Sequence, residues 1–143
     1  MAQRRTGSEH IRKIEFVFYN ERAIREAVAE ARAGGCAPKG RNGSGVSDPT
    51  ASAAIRNVTP LKSVKVRGEQ LEQPEAWLRV VDAVYAWCDQ DRLAVAKDRY
   101  SGIDYRETCA NLSISDTTRR AMLQDVRHFA SLCAVQMGLI KFF

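Results

Sequence analysis

Apolar and polar positions follow one another along most of the chain at the spacing of helices. From Ser8 to Ala33, apolar side chains recur at steps of mostly three, four and seven, and glutamate and arginine fill the positions between them. This is the pattern of an amphipathic helix, and Gly34-Gly35 is a typical end signal. We therefore predict an N-terminal helix within residues 1–33, which either docks on the core or serves as an arm or homo-oligomerisation helix.

Residues 34–47 read GGCAPKGRNGSGVS and have no periodicity. Glycine and serine at this density predict a flexible linker. The stretch lacks the GxxxxGK[ST] spacing and the preceding apolar strand of a phosphate-binding loop. Asp48 and Pro49 then suit the cap and first position of a short helix that stops before Pro60. Residues 61–73 alternate only weakly and could hold a short extended segment, but the pattern is too weak to predict a strand.

Helical signals dominate the rest of the chain. Pro74 begins the helix PEAWLRVVDAVYAWCD, and RLAVAKDRY forms another that ends at Gly102. Asp104 starts a third helix, and Ser115 caps the last and longest one. The apolar residues expected to face the core from this last helix are Met122, Val126, Phe129, Cys133 and Met137. We predict an all-α fold with residues 48–143 as one helical domain.

Composition is that of an ordinary globular protein of one domain, with 143 residues, 45% hydrophobic and 27% charged. No apolar run approaches the roughly 18 residues needed to span a bilayer. The basic start is not followed by an apolar stretch, so a secretory signal is not expected. These features predict a cytoplasmic protein without membrane contact.

Candidate catalytic and metal-binding chemistry is sparse. The four cysteines, Cys36, Cys88, Cys109 and Cys133, form no CxxC pair and have no histidine at metal-ligand spacing. Buried thiols are the expected state, and no metal or cofactor is predicted. The acidic cluster in residues 89–98 lies at a helix start, where capping explains it. The chain is therefore not expected to be an enzyme.

The charge is mildly basic, with a net charge of +5 and a pI near 9.2. Residues 1–73 carry 13 lysines and arginines against 8 aspartates and glutamates, whereas residues 74–143 carry 9 of each. An excess of positive charge favours a polyanionic partner. Any recognition of DNA by the C-terminal half must therefore rely on individually placed arginines.

Residues 104–131 have the spacing of a helix-turn-helix, the motif that places a second helix in the major groove of DNA. The first helix is predicted over residues 105–111, the turn is Leu112-Ser113-Ile114, and Ser115 caps the second helix. In the second helix, Thr117, Arg120, Gln124 and Arg127 fall on the side away from the predicted core residues. A solvated polar face, which every surface helix has, is the alternative interpretation.

The chemistry of this face suits double-stranded DNA. Arginine binds guanine and glutamine binds adenine through paired hydrogen bonds, and amides at a capped helix start bind phosphate. Arg119 falls at a position that turns inward, so we expect its stem to pack and its head to reach solvent or a phosphate. The candidate DNA-contacting residues are Ser115, Asp116, Thr117, Arg119, Arg120, Gln124 and Arg127.

This stretch resembles the region 4 helix-turn-helix of sigma factors. The residues that carry the resemblance are Tyr105, Glu107, Leu112, Ile114, Ser115 and Thr118, after a lead-in of Arg99, Tyr100 and Gly102. The sequence departs from that pattern at three positions. Thr108 stands where a large aliphatic is usual, Ser113 replaces the turn glycine, and Arg119 occupies a normally apolar position.

A wider set of motifs resembles the phage RinA/ArpU type of transcriptional regulator. They are the Ser47-Asp48-Pro49-Thr50-Ala51 element, the Pro74–Trp77 helix start, Phe129-Ala130 and Gly138-Leu139. The resemblance implies a regulator of phage late genes or host autolysin-related genes that binds DNA through the helix from Ser115 and contacts RNA polymerase. The rival interpretations are a small terminase subunit, an antitermination factor, or an interaction protein that uses its N-terminal helix.

Overall fold

The structure, a computed structural model, describes residues 2–34 and 59–141. Within these ranges the chain is mostly helical, with helices α1 (Ala2–Tyr19), α2 (Glu21–Gly34), α3 (Pro74–Trp87), α4 (Gln90–Tyr100), α5 (Tyr105–Leu112) and α6 (Asp116–Gln136). A two-stranded sheet, β1 (Ser63–Val66) and β2 (Glu69–Glu72), precedes α3. Apart from Gly34, the predicted linker over 34–47 lies outside the described residues, as does the short helix predicted from Asp48.

The described chain divides into two compact units. Residues 2–19 and 79–141 form the first, here called the terminal unit, and residues 20–34 and 59–78 form the second, here called the central unit. The boundaries of these units differ from those of the predicted domains. In particular, α1 belongs to the same unit as α4, α5 and α6, so the first helix is part of the fold that holds the predicted helix-turn-helix.

The helix predicted within residues 1–33 is two helices, separated at Asn20. The carbonyl of Asn20 accepts a hydrogen bond from the amide of Ile24 at 2.8 Å, which is the first backbone bond of α2. Asparagine is a favoured residue at helix starts, and Glu21 places a negative charge in the first turn of α2, where the helix dipole favours it. The apolar spacing continues across Asn20, so periodicity alone did not reveal the break.

A β-hairpin occupies the segment where no strand was predicted. Val64 pairs with Leu71 across the antiparallel strands, and both side chains are buried. The two turn residues, Arg67 and Gly68, have positive φ angles of 51° and 82°, as expected for a tight hairpin turn whose twist matches the strands. The expectation of a fold without strands was therefore wrong in this segment, although helices dominate the described chain.

In the central unit, an ion pair joins α2 to the start of α3. Arg32 Nη2 lies 2.6 Å and 2.7 Å from the two carboxylate oxygens of Glu75. Glu75 also accepts a hydrogen bond from the amide of Leu61 at 3.0 Å. This carboxylate therefore fixes the chain before the hairpin as well as the two helices.

The core of the terminal unit is made by apolar faces of α1, α3, α4 and α6. Its buried residues include Ile14, Val17, Phe18, Val80, Val81, Val84, Val95, Ala96, Leu123, Val126, Ala130 and Ala134. Phe18 joins two helices through its ring, whose centroid lies 5.6 Å from that of Tyr85 and 5.2 Å from that of Tyr100. Helix α1 thus contributes large side chains to this core.

The buried face of α6 is not the one predicted. Of the five residues expected to line the core, only Val126 is buried, and Met137 is exposed. The buried positions are Leu123, Val126, Ala130 and Ala134. Two alanines on this face let neighbouring helices approach closely, whereas larger side chains such as Met122 lie at its edge. The face is therefore rotated by about one residue from the prediction.

No helix in the described ranges is long and apolar enough to span a membrane.

Candidate nucleic-acid interface

Three consecutive helices end in the same backbone motif. Gly102 after α4, Ser113 after α5 and Gly138 after α6 have positive φ angles of 82°, 55° and 75°. In each case the next amide bonds back to the carbonyl five residues earlier, as Ile114 does to Cys109 at 3.1 Å. This is the pattern of a Schellman motif, which usually has glycine at the left-handed position. Serine occupies it in the connection between α5 and α6. Of the predicted turn, Ser113 and Ile114 lie in this connection, whereas Leu112 is the last residue of α5.

The start of α6 is capped as the sequence predicts. Ser115 has an extended backbone and its side-chain oxygen accepts a hydrogen bond from the amide of Thr118 at 3.1 Å. At the start of α5, Asp104 accepts from the amide of Arg106 in the same way. Both helix starts are therefore fixed by local signals, and only Ser113, Ile114 and Ser115 separate the two helices.

One carboxylate at the start of α6 binds two arginines. Asp116 Oδ1 accepts from Arg119 Nε at 2.9 Å and lies 2.8 Å from Arg119 Nη2, while Asp116 Oδ2 lies 2.9 Å from Arg120 Nε. The two arginines differ in exposure, because the side chain of Arg119 is 11% exposed and that of Arg120 is 75% exposed. Arg120 thus points outward, as predicted.

The side chain of Arg119 is largely enclosed. Its guanidinium lies over the ring of Tyr105, with its carbon 5.2 Å from the ring centroid, and Asp116 supplies the opposite charge. The sequence predicted that this guanidinium would reach solvent or a phosphate, whereas the structure pairs it with a carboxylate on the same helix. A cation–π contact with tyrosine adds to the attraction.

An exposed polar stripe runs along α6 away from the core. Thr117, Arg120, Gln124 and His128 are all exposed, and Ala121 lies among them. Their steps of three and four residues place them on one face. His128 was not among the predicted site residues, although its position four residues after Gln124 was the signal that could have identified it.

Arg127, predicted to join this stripe, instead faces α1. Its Nε donates to Glu15 Oε1 at 2.5 Å, and the two side chains are 27% and 16% exposed. Arg127 lies seven residues, or about two helical turns, after Arg120, at the edge of the stripe that adjoins the buried face. The structure therefore brings together Thr117, Arg120 and Gln124 but places Arg127 in a contact that holds α6 to α1.

The same carboxylate extends the contact to α4. Glu15 Oε2 lies 3.7 Å from Arg99 Nε, so two arginines flank one glutamate. Burial by itself lowers the pKa of Arg127, but the charge and hydrogen bond of Glu15 raise it overall. Burial also raises the pKa of the neighbouring Tyr100, so its hydroxyl remains protonated. The position of α6 in the terminal unit is thus set by a charged cluster as well as by apolar packing.

The described cysteines do not form a reactive site. Cys88, Cys109 and Cys133 are free and half-buried, and burial raises the pKa of the Cys88 and Cys133 thiols. Cys36 lies outside the described residues. Within the described ranges, no group of three or more histidine, cysteine or acidic side chains is arranged to hold a metal ion.

Comparison with known proteins found no matching family model, no similar curated protein and no similar solved structure.

Proposed function

We propose that the chain is a sequence-specific DNA-binding protein, a transcription regulator with a helix-turn-helix like that of sigma factor region 4, and that α6 is its recognition helix. The observation that carries the proposal is the exposed stripe of Thr117, Arg120 and Gln124 on a capped helix. This helix follows another helix after three residues. Such a pair leaves the second helix free to enter a major groove.

The chemistry of the stripe supports base recognition. Arg120 is long, exposed and held only by a carboxylate on its own helix, so a guanine edge can replace that carboxylate as its partner. Gln124 lies one turn further along and offers both a donor and an acceptor, which suits adenine. Thr117 lies one turn before Arg120, close to the amides of the helix start that favour a phosphate.

The charge distribution indicates how the protein would bind. Of the arginines on α6, Arg119 is largely enclosed and Arg127 faces Glu15, which leaves Arg120 as the exposed one. Asp116 adds a negative charge at the helix start that opposes phosphate binding. Affinity would therefore depend on a few contacts in the groove, with further contacts to the backbone from the basic N-terminal half.

The resemblance to the phage RinA/ArpU type suggests the biological setting. On this proposal the protein acts in the cytoplasm on double-stranded phage or prophage DNA, contacts RNA polymerase, and has no catalytic role. A small terminase subunit or an antitermination factor is the alternative with the same DNA-binding motif. A ring-shaped assembly in solution would favour the terminase subunit.

The direct test is selection of bound fragments from a randomised DNA pool by the full-length protein, followed by sequencing. We expect an enriched motif, and we expect Arg120→Ala to lose preference at one of its base positions. Arg106→Ala, which removes an exposed arginine from α5, is the matched control and should keep the motif. If the wild-type protein enriches no motif in low salt, the proposed function is wrong.

A further inference from the structure

A pocket of about 350 Å³ lies in the terminal unit beside the connection between α4 and α5. Its lining includes two arginines, Arg99 from α4 and Arg119 from α6, and two tyrosines, Tyr19 and Tyr105. None of the proposed base-contacting residues lines it. The pocket is therefore separate from the exposed stripe of α6, although Arg119 belongs to the same helix.

Each guanidinium in the pocket is held against an aromatic ring. The guanidinium carbon of Arg119 lies 5.2 Å from the centroid of Tyr105, and that of Arg99 lies 5.9 Å from the centroid of Tyr19. Two planar cations are thus kept in place before any ligand arrives. This reduces the entropy that binding would cost.

Neither arginine is fully satisfied by its carboxylate. Arg119 uses Nε and Nη2 for Asp116, so its other terminal nitrogen still has donors to offer. Arg99 Nε is buried without a hydrogen-bond partner among the described residues, since the nearest oxygen of Glu15 is 3.7 Å away. This Nε faces Glu15, so the donors that Arg99 can offer to a ligand in the pocket are those of its terminal nitrogens.

Three large side chains that line the pocket are partly exposed. Tyr19, Ile103 and Tyr105 line it and remain 46%, 39% and 43% exposed. Large apolar side chains that cluster on a surface mark a binding site more often than isolated ones do. An aromatic ring in the pocket would cover these side chains and stack on the tyrosines.

We propose that this pocket binds a small aromatic monocarboxylate. The carboxylate would bind Arg119 and Arg99 through charge-assisted hydrogen bonds, and the ring would lie against the tyrosines and Ile103. The size matches the lower end of known ligand pockets, which begin at about 300 Å³. A single negative charge is favoured over a double one, because the carboxylate of Asp104 also lines the pocket.

The test uses benzoate as the probe and the full-length protein labelled for NMR. Adding benzoate should shift the Arg119 Nε–H signal and the amides of Gly102 and Ile103 in a saturable way. Benzyl alcohol tests the need for charge, and acetate and inorganic phosphate test the need for the ring. We expect each of these three to bind at least about tenfold more weakly than benzoate.

Two variants test the assigned residues. Arg119→Gln and Arg99→Gln should each weaken benzoate binding by about tenfold or more. Arg106→Gln should leave it unchanged, since Arg106 lies near the Tyr105 ring, with its guanidinium carbon 5.6 Å from the centroid, but does not line the pocket. Far-UV circular dichroism checks that each variant is folded. If one arginine variant is unfolded, the other still tests whether the arginines bind the carboxylate.

The proposal is overturned if benzoate shifts none of these signals at tens of millimolar. It is also overturned if phosphate or acetate binds as well as benzoate, because the pocket would then be a general anion site. Unchanged benzoate binding in a folded Arg119→Gln or Arg99→Gln protein overturns the assigned contacts. None of these measurements depends on DNA binding, so the test stands apart from the proposed function.

Discussion

Replacing Ser113 with glycine should stabilise the protein. Ser113 joins α5 to α6 with a φ of 55° and a ψ of 47°, a left-handed conformation that costs an ordinary residue roughly 1–2 kcal/mol. Glycine adopts it freely but loses more backbone entropy on folding, which offsets about 0.4–1 kcal/mol. The expected net gain in the free energy of unfolding is about 0.5–1 kcal/mol, or a rise of a few degrees in Tm.

The chain offers matched controls for this prediction. Gly138 and Gly102 hold the same position after α6 and α4, and a Cβ atom added at either would meet nothing within 4 Å. Gly138→Ser should therefore cost about 0.5–1 kcal/mol, by the same balance of strain and backbone entropy in reverse. Ser113→Ala should change stability little, because alanine has the same strain and the Ser113 hydroxyl has no hydrogen-bond partner among the described residues.

Urea denaturation of the four proteins, followed by far-UV circular dichroism, would measure these changes. The prediction requires Ser113→Gly to be more stable than both the wild type and Ser113→Ala. If Ser113→Gly is less stable than Ser113→Ala, left-handed strain does not control this turn and the reasoning fails. Equal losses of stability in Ser113→Gly and Gly138→Ser would refute it as well.

Three further predictions concern α6 and the basic N-terminal segment, residues 1–13. Arg127→Gln should lower the free energy of unfolding by roughly 1–3 kcal/mol, because it leaves a largely enclosed Glu15 without its closest cation. In a double-mutant cycle, the Glu15→Gln, Arg127→Gln protein should lose less stability than the sum of the two single variants. Arg120→Ala should lose roughly 1–3 kcal/mol of affinity for the selected DNA site, whereas Arg119→Leu should keep the sequence preference. Both variants would be titrated against specific and scrambled duplexes. If Arg119→Leu loses the preference and Arg120→Ala keeps it, the assigned face of α6 is wrong. The salt dependence of DNA binding should correspond to about three to five phosphate contacts. Deletion of the basic N-terminal segment, residues 1–13, should reduce this dependence, and an unchanged slope would exclude phosphate contacts from this segment.

Local signals in the sequence were sufficient to locate the helix starts and the turn. Asp104 and Ser115 are capping residues, and their side chains accept from amides two and three residues ahead. Such contacts involve only residues that are close in the sequence, so a local pattern is enough to predict them. The turn was located from Leu112 and Ile114 on either side of Ser113, directly before the Ser115 cap, although serine stands where glycine is usual.

The orientation of α6 could not be predicted in the same way. Ala130 and Ala134 are weak indicators of burial, whereas Met122 and Phe129 are strongly apolar, so the pattern favoured a face rotated by about one residue. The partner of Arg127 was also hidden, since Glu15 lies 112 residues away in the sequence. Periodicity reports which side of a helix is apolar, but it does not report which distant charge will meet an arginine at the edge of that side.

The hairpin was missed for a different reason. Each strand has only four residues, which is too short for an alternating pattern to stand out. Its clearest signal is the Arg67-Gly68 pair, which follows the alternating residues of β1. A glycine at the second turn position is typical of a tight hairpin, and giving it more weight would have predicted the strands.

The assembly of the terminal unit from both ends of the chain has a consequence for biosynthesis. Residues 2–19 are translated before the rest of the terminal unit, and Arg127 of α6, the partner of Glu15, is translated more than a hundred residues after it. Until α3 and α4 follow, Phe18 lacks the Tyr85 and Tyr100 rings on which it packs, and the core is complete only when α6 is made. Contacts of such high sequence separation close slowly, and nascent chains with exposed apolar segments are prone to aggregation. The nascent α1 is therefore the segment that a chaperone would have to protect during translation, and a fragment that begins after it would carry α6 without the surface on which it packs.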